Sequence, residues 1–258
     1  MSLDTVPAAL RARLPALGAL ERSVAVYYGD PARDAAMDAL LARHVRPGSL
    51  AFDIGSHVGD RIGAFRRLGA RVVALEPQPA CAAIIRAIYG DDADVTLVAA
   101  ACGPEVGELA LHVNSANPTV TTASADFIAA ADGADGWKEQ VWDERITVPV
   151  TTLDALIAAH GVPAFVKVDV EGFEHQVLAG LSQPLDGLSF EFTTIQREVA
   201  RACLHRLAAL GPYRFNLALG ESQALHLPAP VDAAAMWTLI EALPHAANSG
   251  DVYATLDR

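Results

Sequence analysis

The 258-residue chain is short of basic residues, with 19 Lys and Arg against 31 Asp and Glu and a formal net charge of −12. Binding a polyanion needs a basic face, so nucleic acid is not expected as a partner. Arg61, Arg66, Arg67 and Arg71 form the densest basic group and are expected to be the solvated face of a helix. Cysteine is scarce: Cys81, Cys102 and Cys203 lie far apart with no C-x-x-C pair. That excludes a disulfide framework and a paired-cysteine zinc site, and suits reduced thiols in a cytosolic protein. Long apolar runs are missing too. None approaches the ~20 residues of a membrane span, and the first residues hold no apolar core of a secretory leader. The expectation is a cytoplasmic chain with no membrane span. Aromatics make up only 6% of a chain that is 52% apolar, so alanine-rich, helix-rich packing is expected.

What the chain does have is a glycine turn in an α/β setting. Leu50-Ala-Phe-Asp-Ile-Gly-Ser-His-Val-Gly59 is an apolar run with Asp53 at its end and a turn marked by Gly55 and Gly59. A helix-like segment, Asp60 to Leu68, follows, and a second apolar run, Val72 to Leu75, ends at Glu76. Strand, glycine turn, helix, strand and acid together are how α/β proteins hold a nucleoside-containing cofactor. Gly55 can take positive φ and bring the backbone close to a ligand, and Gly59 leaves room for helix–strand packing. The Glu76 carboxylate would accept from both ribose hydroxyls. His57 stands where the G-x-G-x-x-G fingerprint needs glycine, which disfavours a pyrophosphate cradle. The shorter D-x-G-x-x-x-G form suits S-adenosylmethionine (SAM), which has no phosphates. An ordinary strand-to-helix turn without ligand is the alternative.

Residues 1–45 read as a helical N-terminal cap, with Leu10, Leu14, Leu17 and Leu20 at helical spacing and a break at Gly29-Asp30-Pro31. Val24–Tyr28 reads as a short strand or as the edge of a site. From residue 50, strands are expected at 50–54, 71–76, 95–100, 164–169 and 188–192. Helices are expected at 57–68, 78–89, 152–160, 173–181 and 195–210. Such alternation implies a parallel sheet covered on both faces. Two closing strands are expected at 213–219 and 251–256, with a helix at 233–243 between them. Residues 107–114 alternate as a short antiparallel strand. Residues 115–145, polar but carrying Trp137 and Trp142, read as a lid insertion over substrate; a mobile surface loop is the alternative.

A second motif, Phe165-Val-Lys-Val-Asp-Val-Glu-Gly-Phe-Glu-His-Gln-Val-Leu-Ala-Gly180, places Asp169 at a strand's carboxyl end, where ligands bind in open α/β sheets. Glu171, Glu174 and His175 follow at once. Asp169 and Glu171 are expected to face the crevice. Glu174 has a simpler reading as a helix N-terminal charge, and His175 as a surface histidine.

These segments resemble the FkbM-type family of SAM-dependent methyltransferases. Asp53-Ile-Gly-Ser-His-Val-Gly59 is similar to its D-[VI]-G-A-N-[VI]-G motif, and Glu76-Pro77-Gln78-Pro79 to its E-P-x-P motif. Ala100-Ala-Cys-Gly103 followed by Gly107, Thr152-Leu-Asp-Ala-Leu156 and Gly250-Asp251-Val252 resemble further segments. Lys167-Val-Asp-Val-Glu-Gly-Phe-Glu174, with Val177-Leu178 and Gly180, is similar to the family's most specific signature. The likeness runs from about Ala51 to Val252. Two positions depart from it: His57 replaces the usual Asn, and Ile62 a frequent Thr.

The resemblance implies an α/β, Rossmann-like class I methyltransferase fold. Its seven-stranded, mostly parallel sheet would have an antiparallel last strand, and residues 46–258 would be the SAM-dependent methyltransferase domain. It also implies cofactor contacts at Asp53, Gly55, Ser56, His57, Gly59, Glu76, Pro77, Gln78, Ala101 and Asp169. The cofactor would be SAM, with S-adenosylhomocysteine as product. The reaction expected is in-line methyl transfer to a hydroxyl of a small molecule: a sugar, glycolipid or natural product. A positioned base would remove the proton, with Glu171, Asp169 and His175 as candidates in that order. Glu174, Trp137 and Trp142 are candidates for substrate contact. A metal-free site is preferred, although clustered carboxylates could hold Mg²⁺. Transfer to nitrogen or carbon, a NAD-linked oxidoreductase, and a non-catalytic binding module remain open alternatives.

Overall fold

The computed structural model describes residues 3–257, so Met1, Ser2 and Arg258, at the outer ends of the expected cap and domain, lie outside the described residues. The helices are α1 (Ala8–Arg11), α2 (Glu21–Tyr28), α3 (Pro31–Leu41), α4 (Asp60–Arg67) and α5 (Pro79–Tyr89), then α6 (Ala125–Ala131), α7 (Leu153–His160), α8 (Glu174–Ala179), α9 (Arg197–Leu210) and α10 (Ala233–Ala242). The strands are β1 (Leu50–Ile54), β2 (Arg71–Leu75), β3 (Val95–Val98), β4 (Ala101–Cys102) and β5 (Gly107–Val113), then β6 (Glu144–Thr151), β7 (Phe165–Val168), β8 (Gly187–Thr193), β9 (Tyr213–Leu219) and β10 (Ser249–Leu256).

Seven strands form one sheet in the order β3-β2-β1-β7-β8-β10-β9. β10 runs antiparallel to both β8 and β9; β1, β2, β3, β7 and β8 pair in parallel. This is the topology the resemblance implied. All five residues of β1 are buried, as a central parallel strand covered on both faces requires. Alternation sends Phe52 and Ile54 into one apolar layer with Val166, Val168 and Phe190. It sends Ala51 into the other, with Phe65, Val72 and Phe165.

A second, three-stranded sheet has the order β4-β6-β5. The sequence pattern suggests β5 but not β6, because Pro149 interrupts its alternation; Pro149 pairs in register with Glu108. Residues 115–143 carry a 3₁₀ turn (Pro118–Val120) and α6. They build a small core of their own from Val120, Phe127, Ala131 and Trp137.

The N-terminal segment is helical only in pieces. Val24–Tyr28 is the second half of α2 and not a strand. Asp30 caps α3, its side chain accepting from the backbone N–H groups of Ala32 and Arg33, with Pro31 in the first turn. Val6, Leu20 and Val24 pack with Val58, Cys81 and Ile84, which seats α2 over the turn after β1. Among the described residues no helix is long and apolar enough to cross a membrane.

The basic group is a solvated face only in part: Arg67 and Arg71 are exposed, while Arg61 and Arg66 are partly buried. Arg61 pairs with Asp251 at 3.4 Å. Arg66 pairs with Asp92 at 2.8 Å and Asp94 at 3.0 Å, and Arg67 with Asp38 at 2.7 Å. Acidic side chains thus pair with Arg61, Arg66 and Arg67.

Candidate cofactor and methyl-transfer site

A crevice opens at the carboxyl ends of β1, β2, β7 and β8, where open α/β sheets bind ligands. Asp53, Gly55, Ser56, His57, Glu76, Pro77, Gln78, Ala101, Asp169 and Glu171 all line it. Gly59, Glu174, His175, Trp137 and Trp142 do not.

The floor is the turn after β1. Gly55 has φ +83°, and a Cβ there would overlap the carbonyl oxygen of Asp169. Only a residue without a side chain lets this turn lie against β7. Ser56 Oγ donates to the carbonyl of Asp53 at 2.9 Å. Gly59 immediately precedes α4, and a Cβ on it would press on Tyr89 at 3.0 Å. The Asp53 carboxylate is 1% exposed, and neither of its oxygens has a hydrogen-bond partner among the described residues. Burial first, and then the nearby Asp60, push its pKa up to about 7. An orphaned buried carboxylate beside a glycine cradle fits a ligand that brings a positive charge.

Glu76 ties two loops together. Its Oε2 accepts from the backbone N–H of His57 at 2.8 Å and its Oε1 from that of Gln78 at 2.7 Å. Each oxygen keeps a further lone pair, enough to hold two ribose hydroxyls. Burial pushes the Glu76 pKa up to about 8, against the lowering effect of those two hydrogen bonds. Gln78 accepts from Thr121 Oγ1 at 2.9 Å and donates to the carbonyl of Pro118 at 3.2 Å, which joins the acidic loop to the 115–145 segment. His57 adopts φ +47°, a region that His and Asn tolerate better than most residues. Its ring lies 3.6 Å from Cys81 Sγ and 3.4 Å from Thr119 Oγ1. Burial lowers its pKa to about 4, so the ring is neutral at pH 7.

The far end is acidic. Asp169, Glu171 and Glu191 bring one carboxylate oxygen each within 4.8 Å of one another, a spacing that could hold one divalent cation. Lys167 pairs with Asp169 at 3.1 Å and also with Asp251. Burial works against its charge, but Asp169 and Asp251 raise its pKa above the ordinary lysine value. Burial, and then Asp169, drive Glu171 and Glu191 well above the usual carboxylate range. Glu171 sits at φ +55°, and its carbonyl accepts from Thr122 Oγ1 at 2.6 Å. The 115–145 segment therefore packs directly on the turn that carries it.

The candidates outside the crevice have visible work elsewhere. Glu174 Oε1 accepts from the backbone N–H groups of Val170 at 2.9 Å and Gly172 at 3.3 Å, closing the turn on which Glu171 is mounted. His175 stands beside Gln176 at 3.0 Å. Trp137 and Trp142 pack edge-on to Phe127 at 5.2 and 6.2 Å. Their indole N–H groups donate to Asn248 at 3.2 Å and to the carbonyl of Val120 at 2.8 Å.

Tyr27 lines the crevice, in line with the reading of Val24–Tyr28 as the edge of a site. Sequence reasoning does not assign Arg33, Asp60, Arg61, Lys167, Glu191 and Glu221 to the crevice, yet all line it. Lys167 stands inside the quoted signature, and Glu191 is cross-strand from Asp251 in an expected strand. Arg33 and Glu221 lie in segments with no motif.

A family model described as the methyltransferase FkbM domain matches residues 53–211. No curated protein matches the chain. Among solved structures, the chain is similar to a precorrin-6y C5,15-methyltransferase from Geobacter metallireducens, at 12% identity and TM-score 0.46 over 87% of each chain. It is similar to a TehB-like SAM-dependent methyltransferase from Corynebacterium glutamicum, at 11% identity and TM-score 0.45 over 92% of this chain and 94% of that one. It is also similar to an rRNA methylase from Streptococcus thermophilus, at 11% identity and TM-score 0.42 over 85% and 94%.

Proposed function

The chain belongs to the FkbM-domain family and is a SAM-dependent methyltransferase, and from that premise we propose that it methylates a hydroxyl oxygen of a small molecule with Glu171 as the base. The observation that carries this reading is the convergence of Asp169, Glu171 and Glu191 at the end of a crevice whose other end fits the nucleoside.

Bound SAM supplies a methyl group already activated on a positive sulfur. The chain must align an acceptor oxygen and accept its proton. Burial, and then the neighbouring Asp169, push the Glu171 pKa well above the usual carboxylate range in the ligand-free crevice. A positive charge placed beside it favours ionisation, so Glu171 becomes a base when the crevice is charged. The acceptor O–H then gives its proton to Glu171 as the oxygen takes the methyl. Lys167, held between Asp251 and Asp169, orients the Asp169 carboxylate.

The walls favour an acceptor without phosphate groups. Arg33, Arg61 and Lys167 are the cations of the lining, and each is already paired with a carboxylate, which leaves little positive charge for a phosphate. A second cleft shares Tyr27 and Thr119 with the crevice and is lined by Asn114, Asn117 and Gln140. Asn114 and Asn117 both donate to Gln140 Oε1, at 2.9 and 3.0 Å, which leaves the Asn117 oxygen and the Gln140 amide N–H groups for a hydroxyl-rich acceptor such as a sugar.

Labelled SAM tested against sugars, glycolipids and amines, with wild type and Glu171→Gln, examines this reading. Turnover on a hydroxyl acceptor should fall at least ~100-fold in the variant, with S-adenosylhomocysteine affinity within about threefold of wild type. An active Glu171→Gln, or turnover on amines alone, would sink it.

A further inference from the structure

The family match begins at residue 53, yet one wall of the crevice comes from before it. Tyr27 of α2 and Arg33 of α3 both face the crevice. Asp30 accepts from the Arg33 backbone N–H at 3.2 Å, which fixes Arg33 in the first turn of α3. Only part of its guanidinium is engaged. Nη2 donates to Asp60 at 2.9 Å and Glu221 at 2.8 Å, and Nε donates to Glu221 at 3.2 Å. Nη1 is buried with no hydrogen-bond partner among the described residues, on a side chain that is 9% exposed. The Tyr27 ring lies 4.8 Å from the guanidinium carbon and edge-on to His57 at 6.0 Å, so it holds the group against swinging away.

A buried donor on a permanent cation is costly to leave unpaired. All three cations of the wall are engaged by carboxylates, but among the described residues Arg61 and Lys167 leave no buried nitrogen without a hydrogen bond, as Arg33 does. The position of Arg33 narrows what the missing partner is. Its partner Asp60 is the first residue of α4, and Gly59, which precedes it, offers no side-chain cap. The first N–H groups of that helix have no acceptor within the helix and carry its positive end. On the same crevice, both Asp53 oxygens are unpaired. An unmet guanidinium N–H donor and two unmet carboxyl oxygens on one crevice match a ligand with an anionic and a cationic group on one carbon, an α-amino acid head. SAM ends in that group.

We propose that Arg33 Nη1 binds the α-carboxylate of the cofactor, so that the N-terminal helices complete the cofactor site. The proposal rests on the cofactor assignment above and adds a residue outside the matched span.

The test compares two neutral-sulfur probes by calorimetry. One is S-adenosylhomocysteine and the other is S-adenosyl-3-thiopropylamine, the same molecule without its carboxylate. Wild type should bind the first at least tenfold more tightly. Arg33→Met should erase that preference, weakening S-adenosylhomocysteine by about tenfold or more and leaving the amine analogue within about twofold. Arg33→Lys should keep part of the preference, and it covers the case in which Arg33→Met does not fold. Equal loss for both probes would mean a structural role and would overturn the assignment, as would a wild type that does not distinguish them. No binding of S-adenosylhomocysteine by folded wild type would overturn the cofactor assignment as well, so the two failures are distinguishable.

Discussion

Gly55→Ala tests the geometry on which the crevice depends. At φ +83° the new methyl would overlap the Asp169 carbonyl oxygen and lie 2.9 Å from its carbonyl carbon and 3.3 Å from Val170 Cγ1. The main obstacle is not the tip of a flexible side chain. It is the backbone of the chain leaving β7, whose Asp169 N–H donates to the Ile54 carbonyl at 2.9 Å. Restoring normal contact needs the two chains to part by ~1 Å or more, which breaks that bond. Left-handed backbone for a residue with Cβ costs about 1 kcal/mol, and an unmet buried backbone group about 1–3 kcal/mol. The variant should therefore lose about 3 kcal/mol, or roughly 6–12 °C in Tm for a chain of this size. Gly220→Ala is the control, because Gly220 has φ +50° and a methyl added there would meet nothing within 4 Å. It should show the backbone cost alone, about 1 kcal/mol. Urea unfolding of both, with S-adenosylhomocysteine titration, provides the comparison. Gly55→Ala should also weaken the ligand more than tenfold. Equal stability losses for the two variants would refute the reasoning.

Two further outcomes follow from buried groups. Burial pushes Asp53, Glu76 and Glu174 up to about 7, 8 and 7. Raised carboxyls stabilise the fold below their ordinary pKa and lose that contribution as pH rises through the raised value. His44 and His57, lowered to about 4 by burial, act in the opposite sense, but only up to their ordinary value of 6.5. From about pH 6.5 to 8.5 the ligand-free protein should lose stability, with about 2 kcal/mol from Glu76 alone, or roughly 4–8 °C in Tm by calorimetry; a flat or rising Tm would contradict this. Phe127→Ala should cost about 3–5 kcal/mol in urea unfolding, since Phe127 is fully buried and both tryptophans of the 115–145 segment meet it edge-on. A loss below about 1 kcal/mol would show that the segment does not depend on this core.

The seven-stranded sheet was legible because central parallel strands are apolar runs set between glycine and proline signals, as at Leu50–Ile54 and Phe165–Val168. Asp53, Glu76, Asp169 and Glu171 were legible because each lies at or just beyond the end of such a run. β6 was not, since a proline sits inside its alternation. Trp137 and Trp142 illustrate a different limit. Large apolar groups in a polar segment show that something is covered, and here it is Phe127 of the same segment. Arg61 and Arg33 illustrate a third limit. Charge pairing across 190 and 188 residues, to Asp251 and Glu221, leaves no local pattern. A helix arginine reads as solvated until its distant acid is known.

The placement of β10 bears on how the molecule assembles. β10 lies between β8 and β9 and bonds to both, although it follows them in the chain. β9 therefore has no strand beside it in the sheet until β10 arrives, and before then Val231 and His226, on its other edge, meet its backbone. β10 also brings Asp251, which holds Lys167 and Arg61. On a ribosome, those two cations would lack this shared acid in the nascent crevice until synthesis passed residue 251. Cofactor should then bind the finished chain and not its growing predecessor, so ligand added during translation would not speed the early steps of folding.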